Sequence, residues 1–267
     1  MRRLSSGAEI ELFDALDSTS LEAGRRAGEI EKTPRWIVAH VQSAGYGRRG
    51  QAWRGVRGDF AGSLIFRVPV GEGRQNKSAG EGRSARAHAT SLGQVSFVAA
   101  LAVASALDDI LRMPSLISLK WPNDVLIDGG KAAGLLLERI EDGRGTALVI
   151  GVGVNVVSAP RDLPYRAARL IDFAHDIPAP AALAAQIDGH FWRYYADWKK
   201  NGFEGVRRLW LERAGGLGDS IRVRLPHEEL EGAFEGLDEY GGLILRLGAG
   251  RRIISAGEVF LPPRRKV

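Results

Sequence analysis

The apolar run Trp36-Ile37-Val38-Ala39-His40-Val41 leads into Gly45-Tyr46-Gly47-Arg48-Arg49-Gly50, and no helical pattern follows it. A strand followed by G-x-G-x-x-G opens a dinucleotide-binding βαβ unit only when a helix starts on the last glycine and packs on the sheet. Here the chain continues Gln51-Ala52-Trp53-Arg54-Gly55-Val56-Arg57-Gly58-Asp59, without apolar residues at helical spacing. The segment therefore reads as a long flexible basic loop. Its glycines let backbone N–H groups approach a phosphate, and its arginines add planar, permanently charged donors for phosphate or carboxylate. A solvated surface turn is the alternative for this segment taken alone.

Two further motifs follow in order, Lys120-Trp121-Pro122-Asn123-Asp124 and Gly130-Lys131-Ala132-Ala133-Gly134. With the loop they supply what is needed to hold phosphate charge near an activated carboxylate. The absence of cysteine excludes a disulfide framework, thiolate metal sites and a cysteine nucleophile. With 267 residues the chain can form one sizeable domain and a small second one. The net charge is +5, but the basic residues are spread along the chain among 32 acidic ones, so a nucleic-acid groove is not indicated. Met1-Arg2-Arg3 is followed by Glu9, Glu11 and Asp14 rather than an apolar core, which argues against an export signal. The apolar stretch from Val95 to Leu107 is too short to span a bilayer. A cytoplasmic protein without a membrane span is expected.

Strands are predicted over Glu9–Leu16, Trp36–Val41, Phe60–Val68, Ile117–Trp121, Val125–Ile127, Lys131–Ile140 and Ala147–Val157. Asp128-Gly129-Gly130 is expected to be a hairpin turn. Helices are predicted over Leu21–Ile30, capped by Asp17-Ser18-Thr19-Ser20, and over Ser91–Leu111, Ala181–Lys199 and Phe203–Arg213. Trp192, Trp198 and Trp210 follow helical faces and are assigned to the core. Pro69–Thr90 reads as a polar loop of insertion-like character. From Gly215 the texture changes to short strands over Ile221–Leu225, Leu230–Leu237, Leu243–Leu247 and Arg251–Ile254, as in a small β-barrel. The expected organisation is a domain over 1–214 and a second over 215–267.

The ordered set Leu16-Asp17-Ser18-Thr19, Gln42 through Gly50 with Trp53, Lys120 through Asp124, Gly130 through Gly134, Gly151-Val152-Gly153-Val154-Asn155 and Gly257-Glu258-Val259 resembles the biotin protein ligases along most of the chain. The resemblance implies an α+β fold: a class II synthetase-like catalytic domain with a mixed sheet flanked by helices, then a C-terminal SH3-like domain. It implies a two-step reaction in which biotin carboxylate attacks the α-phosphate of ATP, and a lysine of a biotin carboxyl carrier protein attacks the resulting biotinyl-5′-AMP. Mg2+ is the expected companion of ATP.

By that resemblance Arg48, Lys131 and Asp124 are catalytic, with Asp124 also the candidate metal ligand and a candidate aid to the incoming amine. Ser18, Thr19, Ser20 and Gln42 correspond to groups that bind the biotin ureido ring, and Gly45, Tyr46, Gly47, Arg48, Lys131 and Gly134 complete the biotin site. Arg48, Arg49, Trp53, Asn123, Lys131 and Asn155 correspond to the ATP site, with Trp53 beside the adenine. Tyr46 departs from the family, which often has arginine there, so one anion contact is expected to be missing or replaced by a phenol hydrogen bond. Bifunctional members carry an N-terminal helix-turn-helix; the Asp17-Ser18-Thr19 turn begins too early for one here, so no specific DNA binding is expected. A homodimer is a family habit. Lipoate ligases and octanoyltransferases, with the same catalytic fold, are the nearest competitors. A non-catalytic nucleotide- or nucleic-acid-binding protein is the second.

Overall fold

The computed structural model describes residues 2–68, 92–160, 162–248 and 250–262. The polar segment expected over Pro69–Thr90 lies outside them.

Eight strands form the main sheet: β1 (Arg2–Arg3), β2 (Glu9–Phe13), β3 (Arg35–Ala39), β4 (Phe60–Arg67), β5 (Ile117–Lys120), β6 (Asp124–Ile127), β7 (Gly130–Asp142) and β8 (Gly145–Val154). Their spatial order is β1-β2-β3-β4-β8-β7-β6-β5. Only β2 and β3 run parallel; the other neighbours are antiparallel. The alternation along the strands decides which face meets which helix. Ile37, Ile65 and Val149 point to one side, where Ala23 of helix α1 (Thr19–Arg25) and Ala27 cover them. Trp36, Val38, Leu64, Phe66, Leu148 and Ile150 point to the other, under helices α2 (Val95–Leu111) and α3 (Pro180–Asn201). Five alanines of α2, at positions 99, 100, 102, 104 and 106, are buried, which lets that helix sit against α3 and the sheet at once. Helix α4 (Phe203–Leu211) completes this layer and buries Trp210.

Predicted strand and helix positions agree with the structure, with shifts at the ends. The first strand stops at Phe13, but an isolated bridge between Leu16 and Gln42 continues its pairing with the next. The first helix is shorter than expected: Ser18 caps it, it ends at Arg25, and a 3-10 turn follows over Ala27–Glu29. Asp128 and Gly129 both adopt positive φ (47° and 76°) in the expected hairpin turn. The loop expected to be long and flexible is instead hydrogen-bonded into a small hairpin. Gly47 N–H bonds Gln51 O (2.7 Å), Trp53 N–H bonds Gly45 O (2.9 Å), and a 3-10 turn spans Arg48–Gly50.

The C-terminal strands β9 (Ser220–Arg224), β10 (Glu229–Leu237), β11 (Leu243–Leu247), β12 (Gly250–Ile254) and β13 (Glu258–Phe260) form a second, antiparallel sheet in the order β12-β11-β10-β9-β13. Strands β1 and β13 are too short to show a periodicity and escape sequence reading. The second sheet is fastened at the β5 edge. Leu119 exchanges backbone bonds with Arg213 and Gly215 (2.8 Å each), and the buried Trp121 indole donates to Gly241 O at 3.0 Å. Among the described residues no helix is long and apolar enough to cross a membrane.

One buried carboxylate fastens the N-terminal segment to α3. Asp188 accepts from the Trp36 and Trp192 indoles (2.9 Å each) and from the Ser6 hydroxyl (2.5 Å). Burial pushes its pKa up, and these three donors pull against that shift. A carboxyl with a raised folded pKa stabilises most below its unfolded pKa, and the contribution is lost as pH rises through the folded value. Asp188→Ala strands two indole N–H groups and is expected to lower stability by about 2–4 kcal/mol. Asp188→Asn keeps one acceptor oxygen and should cost less; urea denaturation of the two variants checks the difference.

Candidate active site

A cavity of about 710 Å³ opens between the Tyr46–Val56 hairpin, the ends of β6, β7 and β8, and residues 158–160 and 162–167. That volume suits a ligand of nucleotide size. At one wall the start of α1 meets Gln42. The Gln42 side-chain oxygen accepts the Thr19 N–H (2.7 Å) and hydroxyl (3.1 Å). Ser63 donates to the Thr19 hydroxyl (2.8 Å) and lies 3.0 Å from the Ser20 hydroxyl. Ser18, Thr19, Ser20 and Gln42 thus come together as expected, and Ser63 behind them is an addition. Its signal was a single hydroxyl in the apolar run of β4.

The charged centre is a carboxylate between two ammonium groups. Asp124 Oδ1 lies 2.7 Å from Lys131 Nζ and its Oδ2 lies 2.8 Å from Lys120 Nζ. Its side chain is only 8% exposed. Lys120 and Asp124 pair across the β5–β6 turn, but Lys131 reaches them through a β-bulge. The register moves from Val125–Ala133 to Leu126–Lys131, skipping Ala132. The extra residue turns Lys131 onto the face that Asp124 and Gly134 share. Its backbone bonds elsewhere: the Lys131 N–H donates to Arg166 O (2.8 Å), and Ala168 N–H donates to Lys131 O (2.9 Å).

Burial pushes the Asp124 pKa up, but the Lys120 and Lys131 charges outweigh it and hold the carboxyl below its usual value. Both of its oxygens already accept from lysine ammonium groups, so the geometry leaves neither placed to take a proton from an incoming amine. A metal role does not suit it either. Both oxygens are taken by lysines, and among the described residues no group of three or more His, Cys, Asp or Glu gathers to hold a metal. The side chains present do not fit a protein-held Mg2+. Lys120, to which the sequence reading gave no separate role, is an equal member of this cluster and also donates to Val259 O (3.3 Å) in the second sheet.

Trp53 lies over β7 and β8. A Cβ on Gly153 would overlap its indole, and one on Gly134 would approach the ring to 3.0 Å. The two glycines are cross-strand partners, so they form a floor that only glycine permits. Lys131 Nζ sits 5.8 Å from the Trp53 ring and 5.6 Å from the Tyr165 ring, so it is flanked by two aromatic groups. Tyr165 lies in a stretch without periodicity, and nothing in the sequence singled it out.

The remaining expected residues divide. Gly47, Arg48 and Arg49 line the cavity, with Arg48 3.5 Å from the Asn123 side-chain oxygen. Burial and the neighbouring Arg49 lower the Arg48 pKa, and Asp124 partly restores it. Asn123 donates to Leu135 O and so braces β6 against β7. Gly45 does not line the cavity: a Cβ there would meet the Gln42 amide at 2.7 Å and Trp53 O at 2.9 Å, so it serves the packing of both. Tyr46 turns its hydroxyl to Glu138 (3.0 and 3.1 Å), and burial with that carboxylate raises its pKa to about 12. Its phenol hydrogen bond therefore goes to a carboxylate of the sheet. Asn155 borders the cavity, but its side-chain amide is committed to Lys131 O (3.1 Å) and Ala168 O (3.2 Å).

A mixed sheet with a cationic cleft, joined along one edge by a small antiparallel SH3-like sheet, is the architecture of the protein ligases that attach biotin or lipoate. The chain belongs to the biotin/lipoate A/B protein ligase family, whose pattern matches residues 13–155, and the biotin protein ligase C terminal domain matches residues 216–261. It is 37% identical over 259 residues to the biotin–[acetyl-CoA-carboxylase] ligase of Paracoccus denitrificans, covering 91% of this chain and 97% of that one. A second relative of that name, from Mycobacterium tuberculosis, is 29% identical over 84% of this chain and 77% of its own. The biotin protein ligase of Aquifex aeolicus in complex with biotin and ATP shares the fold, with a TM-score of 0.75 at 24% identity over 97% of this chain and 99% of that one.

Proposed function

We propose that this chain is an ATP-dependent ligase that joins biotin and ATP into biotinyl-5′-AMP, then transfers biotin to a lysine of a biotin carboxyl carrier protein. The observation that carries this reading is the pair of ammonium groups on Asp124, set in one cavity with the Trp53 platform and the Thr19–Gln42 polar wall. The names of the Paracoccus and Mycobacterium relatives support the same activity.

In this reading the Thr19–Gln42 end takes the ureido ring, whose N–H and C=O groups match side chains that both donate and accept. Bringing a carboxylate to a triphosphate is opposed by charge, and Lys131 and Lys120 offset that repulsion because Asp124 keeps both placed before substrate arrives. Arg48 and Arg49 extend the positive lining to the hairpin, where closure shields the mixed anhydride from water. Trp53 takes the adenine. Asn155 acts on the nucleotide indirectly, by holding Lys131 and the 166–168 backbone. Mg2+ would enter with ATP rather than on a protein site. The chain divides near Gly215 into a catalytic part over 1–214 and a C-terminal part over 215–267, a division supported by the separate sheets on either side.

Pyrophosphate exchange with ATP, comparing biotin, lipoate and octanoate, tests the reading. Exchange with biotin alone is expected. Exchange with lipoate would place the chain with the lipoate branch of its family, and no exchange with any acid would remove the adenylating function.

A further inference from the structure

Asp59 stands immediately before β4, is buried, and collects five donors. Its Oδ1 accepts the N–H groups of Val156 and Val157 (2.9 Å each) and Ser158 (3.0 Å). Its Oδ2 accepts the Val56 N–H at 3.0 Å and the Ser158 hydroxyl. The β4–β8 ladder ends at the Phe60–Val154 pair, so Asp59 sits where the two strands part and takes up the N–H groups that the ladder leaves behind. The donors belong to two different segments over the cavity. Val56 follows Trp53 in the hairpin loop, and residues 156–160 and 162–165 belong to the strap that carries Tyr165. Direct contact joins them as well: Gly58 has φ of +106°, and a Cβ there would come within 2.9 Å of the Val157 side chain.

We propose that Asp59 is a positioning residue that fastens the Trp53 loop to the Tyr165 strap, so that the two aromatic rings seat beside the Lys131 ammonium as one unit. Two carboxyl oxygens can accept from both segments at once, which suits a tie between segments that share no ladder. Its effect on turnover rests on the adenylating reading; the tie itself does not.

The test combines amide hydrogen exchange with kinetics on Asp59→Ala and Asp59→Asn. Asparagine keeps one oxygen for the N–H groups of residues 156–158 but presents NH2 where Val56 needs an acceptor. Asp59→Ala is expected to lose protection in both segments, at Val56 and at 156–158. It should raise KM for ATP about tenfold or more with a smaller change in kcat. It should also abolish the coupling between Trp53→Ala and Tyr165→Ala in a double-mutant cycle on that KM. Asp59→Asn should restore protection at 156–158 but not at Val56, and because it then holds only one of the two segments, KM for ATP should stay raised. Loss of protection confined to one segment in Asp59→Ala, or coupling that survives in that background, overturns the proposal. Should the wild-type protein adenylate no acid, the exchange pattern decides by itself: both segments loosened upholds the tie, one loosened refutes it.

Discussion

Lys131→Ala is expected to lower biotin-dependent pyrophosphate exchange by about 10³-fold while the protein stays folded. The fold is spared because the contacts of Lys131 that organise the chain are made by its backbone, with Arg166 and Ala168, and an alanine keeps them. Asp124 is not stranded either, because Lys120 remains on its other oxygen at 2.8 Å. What is lost is one of two cations placed where negative charge must gather, so the fall should appear in kcat, with KM for biotin little changed. Lys131→Arg should recover only a part, since a planar fork cannot follow a moving charge as a point ammonium does. The pH profile gives a second check. The folded Asp124 pKa is depressed, so its ion pairs contribute fully above the unfolded value near 3.8 and are lost only as pH falls through the lower folded value. Any loss of rate in mildly acidic solution must then come from another group, and Asp124→Asn should leave the position of that limb unchanged. Near-normal exchange by Lys131→Ala would remove the ammonium pair from the mechanism.

Much of this arrangement was legible in the sequence because it obeys local rules. The continuous apolar runs of β3 and β8, rich in Val and Ile, and the capping residue Ser18 are local properties, and they placed the sheet and the first helix. The motif residues Gln42, Arg48, Asp124 and Lys131 do converge on one cavity. What stayed hidden depends on non-local geometry. The bulge that turns Lys131 toward Asp124 is a relation between two strands, and no residue of β7 announces it. Asp59 looks like one more polar residue of a basic loop; only the divergence of β4 from β8 shows that it answers N–H groups nearly a hundred positions away. Asn155 illustrates the converse. Its place at a strand end suggested a ligand contact; it does border the cavity, and what the sequence could not show is that its NH2 group is engaged with the backbone that carries Lys131. Tyr165 lies in an irregular stretch next to Arg166, whose carbonyl bonds the Lys131 N–H, so no periodicity could have marked it.

Gly153→Ala should raise KM for ATP by about 10- to 100-fold, although it adds a single methyl group. Gly153 is the last but one residue of β8, a strand inside the sheet, paired with Gly134 on one side and Ala61 on the other, and its backbone is compatible with alanine. Strand stability should therefore not suffer; replacing glycine restricts the unfolded chain and favours folding slightly. The obstacle is the Trp53 indole, which occupies the space a Cβ would need. A strand in the middle of a sheet cannot retreat, so the indole must move, and with it the ring beside Lys131 and the wall assigned to adenine. This gives a decisive non-additivity. In a Trp53→Ala background, where ATP binding is already weakened, adding Gly153→Ala should have almost no further effect, because nothing remains for the methyl to displace. Thermal unfolding of Gly153→Ala should stay near wild type throughout. If the substitution is equally damaging with and without the indole, Gly153 acts on the nucleotide directly and Trp53 is not the platform it is taken to be.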